Sequence, residues 1–153
     1  MNVPKLISKE HTRSGFTVLE VLLSVALIGI IGAIGAPIYQ RVQTISAMEN
    51  TLSAFREALR RAQLASQAVD GDATWGVKVG TGTITLFQGA SYTTRNASSD
   101  ELTDYPLTIT VGSTTEFVFS KLIGNPLAVG TTTFTSASAG IKTIFVNARG
   151  TLE

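Results

Sequence analysis

The chain of 153 residues contains no cysteine, and its single histidine, His11, stands among the first fifteen residues. Without cysteine there is no disulfide, no thiolate zinc site and no thiol nucleophile. A chain shorn of its first fifteen residues would also lack histidine, which excludes Ser-His-Asp and Cys-His catalysis, histidine-ligated metals and a histidine pH switch. Charge is sparse too, at 15% of residues with a net +1, a balance that steers no particular partner. Removing residues 1–15 takes away Lys5, Lys9, Arg13 and Glu10 and leaves nine basic against ten acidic side chains, a balance of −1. That near-neutrality argues against a dedicated nucleic-acid binder.

What the chain does have is a long uncharged run. Between Glu20 and Arg41 lie twenty residues without a charge, dominated by Val, Leu, Ile, Ala and Gly. As a helix rising about 1.5 Å per residue they span roughly 30 Å, the thickness of a bilayer core. The positive mean hydropathy of +0.26 owes most to this run, since the remainder is rich in Thr, Ser, Gly and Ala. Lys5, Lys9 and Arg13 precede it, so the positive-inside bias keeps the N-terminus cytoplasmic and sends the rest of the chain outward.

Two ordinary readings fit this arrangement. One is a secretory signal with a small-x-small site at Ala33-Ile34-Gly35, although its apolar region is longer than the usual 7–15 residues and Pro37 follows Ala36 closely. The other is an uncut signal anchor. Neither accounts for Glu20, because a carboxylate in a membrane segment costs about 2.5–3.5 kcal/mol at the helix centre and usually marks function with a partner. No Lys or Arg follows it for twenty residues. Cleavage between Gly15 and Phe16 would create a cation, the free amine of Phe16, and one subunit's Glu20 could then meet another subunit's terminus.

The stretch Ser14-Gly15-Phe16-Thr17-Val18-Leu19-Glu20, with a short basic leader before it and an apolar run after it, resembles the class III signal of type IV pilins and type II secretion pseudopilins. The resemblance implies that residues 1–15 are a leader, that a prepilin peptidase cuts after Gly15, and that Phe16 becomes an N-methylated first residue. It assigns Glu20 to neutralising the terminal amine of an adjacent subunit, and it matches Gly29 and Pro37 to positions where the family's helix loosens inside the filament. The implied partners are other pilin subunits, the peptidase and, before assembly, the bacterial inner membrane; the final location is an extracellular or periplasmic filament. No cofactor, metal or catalytic residue is implied. The missing cysteines remove the disulfide-closed loop common in pilins, and the tail 147–153 lacks the calcium site usual in major pseudopilins. A pilin, or a minor pilin or pseudopilin, is the better match.

Small residues at Gly29, Gly32 and Gly35 also suit plain close packing of membrane helices, and Pro37 suits a plain kink. Beyond it, Ile38, Val42, Ile45, Met48, Leu52, Phe55, Leu59 and Ala62 recur in steps of three and four, which predicts an amphipathic helix to about residue 69, where Asp70-Gly71-Asp72 stops it. The expected layout is therefore a membrane and assembly helix over 16–38, its amphipathic continuation over 39–69, and a β-rich head over 70–153. Arg56, Arg60 and Arg61, together with Lys78, would be the contacts of a pilus-associated DNA-uptake subunit, with Trp75 stacking on a base. A solvated helix face with Glu57 and Arg61 paired is the plainer reading, and nucleic acid is not the expected partner.

From residue 74 the period becomes two. Strands are predicted at 74–79 and 83–87, closing a hairpin around Gly80-Thr81-Gly82, and at 107–111, 116–120, 131–135 and 142–146, with turns at Gly112-Ser113 and Gly140. The segment 89–106 reads as a polar connection. Its Asp100, Glu101 and Asp104 are a weak calcium motif and Asn96-Ala97-Ser98 a weak glycosylation sequon. The fold expected is α+β, one long helix kinked near Pro37 and packed on an antiparallel sheet. A structural filament subunit is the leading function; a DNA-binding pilus subunit and a signal-anchored envelope protein that never polymerises are the alternatives.

Overall fold

In the computed structural model residues 15–153 are described, the side chains of 34–38 excepted. The chain forms two compact units, residues 1–38 and 39–153. Helix α1 is assigned to Val18–Gln67 and so contributes to both. The leader falls outside the described residues, and α1 is assigned without a break through the position of the kink expected near Pro37. In the first unit, Gly15, Phe16 and Thr17 carry no regular structure, and α1 starts at Val18 rather than Phe16.

The second unit is α+β. After α1 come β1 (Trp75–Val79), β2 (Thr83–Gln88), β3 (Asn96–Asp104), β4 (Ile109–Ser113), β5 (Glu116–Phe119), β6 (Gly130–Ser136) and β7 (Gly140–Val146). They make two antiparallel sheets, one ordered β3-β2-β1-β5 and the other β4-β6-β7, which corrects the expectation of a single sheet. The point of divergence is Gly112-Ser113. It does not fold β4 back on β5; Ser113 takes a left-handed backbone (φ 65°), the Thr114 N–H bonds to Thr131 O, and β4 pairs with β6 instead. The predicted turns at Gly80-Thr81-Gly82 and Gly140 do close hairpins, β1–β2 and β6–β7.

A second correction concerns 89–106, which is not merely a connection. Asn96–Asp104 forms β3, the edge strand on β2, with its side chains solvated or only half-buried along its length. Polar residues suit such an edge, because charge discourages further strand pairing.

The amphipathic stripe is buried from Met48 onward: Met48, Leu52, Phe55, Leu59 and Ala62 each expose 2% or less, whereas Val42 and Ile45 are exposed. This stripe meets Val77, Val79, Ile84, Leu86, Phe117 and Phe119 of the larger sheet and Phe134, Ile144 and Val146 of the smaller one in a single cluster. Phe55 joins the layers, with its ring 6.3 Å from Phe117 and 5.4 Å from Phe134. The helix ends at Gln67, two residues short of the expected limit, where Val69 turns left-handed (φ 53°) into the short helical turn Asp70–Asp72. Ser66, fully buried, ties this end to the sheet: its hydroxyl accepts the Trp75 N–H (2.9 Å) and donates to Phe119 O (3.1 Å).

Candidate functional site

The residues implicated in processing and assembly lie at the start of α1. Thr17 is the N-cap. Its carbonyl accepts the Val21 N–H at 3.2 Å and its hydroxyl accepts the Glu20 N–H at 3.2 Å. Thr17-Val18-Leu19-Glu20 therefore has the Thr-x-x-Glu pattern of a capping box, with the hydroxyl arm formed. The Thr-x-x-Glu spacing ahead of an apolar run is the sequence signal by which Thr17 is legible as a cap. Among the described residues the Glu20 carboxylate has no hydrogen bond or ion pair. One turn on, Ser24 Oγ donates to Glu20 O at 2.7 Å, so the serine's polarity is satisfied within the helix.

Among the described residues nothing covers the apolar side chains around this start. Phe16, Val18, Leu19 and the large residues from Val21 to Ile31 are between 51% and 82% exposed. Among the described residues nothing stands within 4 Å of where a Cβ would be at Gly15, Gly29 or Gly32, so no described contact requires a glycine there. The described part of this run is not by itself long and apolar enough to cross a membrane; the uncharged sequence continues through 34–38. Pro37 lies among those five residues.

Of the four basic residues singled out as nucleic-acid contacts, Arg61 and Lys78 are drawn to carboxylates on different strands. Arg61 donates to both carboxylate oxygens of Glu101 on β3, at 2.6 Å each. Lys78 lies on β1 between the inward-facing Val77 and Val79, so it leaves the sheet on the face away from α1, where its ammonium reaches Thr115 Oγ1 (3.1 Å) and Glu116 Oε2 (3.5 Å). Glu101 and Glu116 belong to strands at opposite edges of the sheet. Trp75 is buried at 9% exposure and donates its indole N–H to Asp70 O, so it presents no ring for base stacking. Arg56 is half-buried and Arg60 exposed on α1. Arg60 instead shares a cleft with Arg149, a residue sequence reading passed over because it is 89 positions away.

The acidic trio of the 89–106 segment is also divided. Asp100 accepts from Arg95 Nε at 2.7 Å, Glu101 binds Arg61, and Asp104 accepts from the Thr83 hydroxyl at 3.3 Å. Among the described residues no group of three or more His, Asp and Glu is placed to hold a metal ion. Arg95 lies 3.8 Å over the Tyr92 ring and donates to Tyr92 O, and its hydrogen bond to Asp100 is the main reason its pKa stands above the ordinary arginine value. Asn96, of the sequon, is exposed; its Oδ1 accepts the Ser98 N–H and its amide nitrogen donates toward Gln88 and Ser99.

Comparison of the chain with protein-family models, with curated proteins and with solved structures finds no match in any of the three.

Proposed function

We propose that the chain is a non-enzymatic structural subunit of the type IV pilin class, a pilin or a minor pilin or pseudopilin, cut after Gly15 and polymerised through α1 into a filament. The observation that carries the reading is the coincidence at one helix start of the Gly15-Phe16 junction, the acidic Glu20 and an uncovered apolar surface. Burying a Val, Leu or Ile side chain is worth about 1.5–3 kcal/mol. The exposed run from Val18 to Ile31 thus represents on the order of 10 kcal/mol or more that the isolated chain leaves unrealised. A membrane takes up that surface before assembly, and neighbouring helices take it up afterwards.

Glu20 then neutralises the Phe16 amine of an adjacent subunit, which is why a carboxylate is kept where an apolar residue would be cheaper. The unit 39–153, with its own core, is the head carried outside the cytoplasm; the stripe Met48, Leu52, Phe55, Leu59 and Ala62 packed on its strands supports that reading. A mature chain with neither Cys nor His supports a structural rather than catalytic role. The two carboxylates holding Arg61 and Lys78, and the burial of Trp75, weigh against the DNA-uptake set as first drawn.

Mass spectrometry of the protein from envelope fractions tests the reading. The expected N-terminus is Phe16 carrying a methyl group, and it should disappear when Gly15 is replaced by a bulky residue. An intact Met1 in fractions that contain an active prepilin peptidase overturns it.

A further inference from the structure

We infer that Arg60 and Arg149 form a two-guanidinium clamp for a phosphate group, free or as a phosphodiester, on the head. The two side chains line one open cleft of about 300 Å³ with Gln63, Gly150 and Thr151. Unlike Arg61, Lys78, Arg95, Lys121 and Lys142, neither Arg60 nor Arg149 has an ion pair among the described residues. Arg41 and Arg56 likewise have no ion pair among the described residues, and what sets Arg60 and Arg149 apart is that they line one cleft with uncommitted donors.

The pair is also built rather than incidental. Gln63, three residues along α1 from Arg60, donates its amide to Arg149 O (3.1 Å) and to Gly124 O (3.0 Å). This pins the 147–150 turn to the helix turn that carries Arg60. The turn itself is fixed by Asn147, whose side-chain oxygen accepts from Arg149 N (2.9 Å) and Thr151 N (3.0 Å), and whose carbonyl accepts from Gly150 N (2.9 Å). Gly150, left-handed at φ 76°, packs against Gln63: a Cβ there would meet its amide nitrogen at 2.5 Å. These ties fix the backbone from which the two exposed arginine side chains reach the cleft, which lowers the ordering needed when an anion binds.

Ligand class follows from charge and oxygen count. A carboxylate carries one negative charge on two oxygens, whereas a phosphate presents three or four oxygens and up to two charges to the two cationic forks, the better match. The inference stands apart from the filament reading, since it concerns only side chains within the head.

The test uses the full chain in neutral detergent. Inorganic phosphate, pyrophosphate and a single-stranded oligonucleotide are titrated separately while the arginine Nε–H resonances are followed by NMR. The Arg60 and Arg149 resonances should move together. Arg60→Gln or Arg149→Gln should weaken pyrophosphate binding about tenfold, the loss of one charge-assisted contact. Arg149→Lys, which keeps the charge and loses the fork, should fall between, and Arg61→Gln should bind as the unaltered protein does. An oligonucleotide bound through two phosphates would lose affinity with salt at a slope of roughly −1.4, and tighter binding than pyrophosphate would identify a polymer as the source; equal or weaker binding would identify a free phosphate. Unmoved Arg60 and Arg149 resonances, equal weakening in Arg61→Gln, or an oligoglutamate peptide bound as tightly as pyrophosphate at matched ionic strength would each overturn the clamp. Unchanged melting of the variants confirms that losses report the site.

Discussion

The hydroxyl of Thr17 accepts the backbone N–H of Glu20 at 3.2 Å, so the acidic residue of the apolar helix start is also the third residue of a capped helix. The backbone N–H that Glu20 gives to Thr17 is separable from its carboxylate, which has no partner among the described residues. A glutamine at this position keeps the bond to Thr17 but cannot neutralise an amine. Glu20→Gln is therefore expected to leave the helix and membrane insertion unchanged while sharply reducing filament yield. Thr17→Ala should do the reverse, fraying the first turn at a cost of about 1 kcal/mol with the charge intact. Electron microscopy of sheared filaments, set against the membrane-bound subunit pool, reads both. Wild-type filament yield from Glu20→Gln would overturn the proposed pairing of Glu20 with the Phe16 amine.

Ser66 is the polar joint between the helix and the larger sheet. It is fully buried, accepts the Trp75 N–H and donates to Phe119 O, and its own carbonyl receives the Leu122 N–H at 3.1 Å. In Ser66→Ala the Trp75 amide and the Phe119 carbonyl lose their side-chain partner in a site closed to water, a loss of about 1–3 kcal/mol. Thermal unfolding should show Tm lower by several degrees, since about 1 kcal/mol moves a domain of this size by roughly 4–8 °C. Ser66→Gly, which opens space for a water, should lose less hydrogen bonding but add helix cost of about 1 kcal/mol.

Phe55 bears the greatest single packing responsibility, because its ring touches Phe117 of one sheet and Phe134 of the other. Phe55→Ala should cost about 3–5 kcal/mol, and Phe55→Leu should recover part of that through retained volume. Chemical denaturation gives the comparison. A loss under about 1 kcal/mol for Phe55→Ala would mean that the two sheets do not depend on this ring.

The elements most legible in the sequence were those whose period is set by burial. Met48, Leu52, Phe55, Leu59 and Ala62 sit one above another on the buried side of α1, and the β1–β2 hairpin carries its glycines where the chain reverses. Asn96–Asp104 escaped because an edge strand with solvated side chains has no apolar alternation to read; its pairing to β2 is a property of residues eight or more positions away. The partner of β4 escaped for a similar reason. Gly112-Ser113 has the composition of a hairpin turn, yet the strand it precedes pairs with β1, and only the folded chain brings β6 alongside β4. At the basic face the helical spacing of Arg56, Arg60 and Arg61 was visible, whereas the neutralisation of Arg61 by Glu101 and the arrival of Arg149 beside Arg60 depend on tertiary contacts.

Tyr105 links the β1–β2 turn to the segment after β3 and sets how the head responds to alkali. The residue is buried, with its hydroxyl donating to Gly80 O at 2.5 Å and its N–H to Gly82 O at 2.8 Å. Burial pushes the phenol pKa above its ordinary value, and a backbone hydrogen bond at Gly82 offsets only part of that. A phenol harder to ionise in the folded state than in the unfolded one leaves the unfolded chain binding fewer protons once pH passes about 10, so stability declines with rising pH. The contribution is whole below the unfolded-state pKa and is lost as pH climbs through the folded-state value. Tyr105→Phe removes the titrating group and the bond to Gly80 together. It is expected to be less stable by about 1 kcal/mol at neutral pH and to show a shallower loss between pH 9 and about 11 than the unaltered head. Urea midpoints measured across that range in the two proteins decide the matter: parallel curves would show that Tyr105 does not ionise differently on folding.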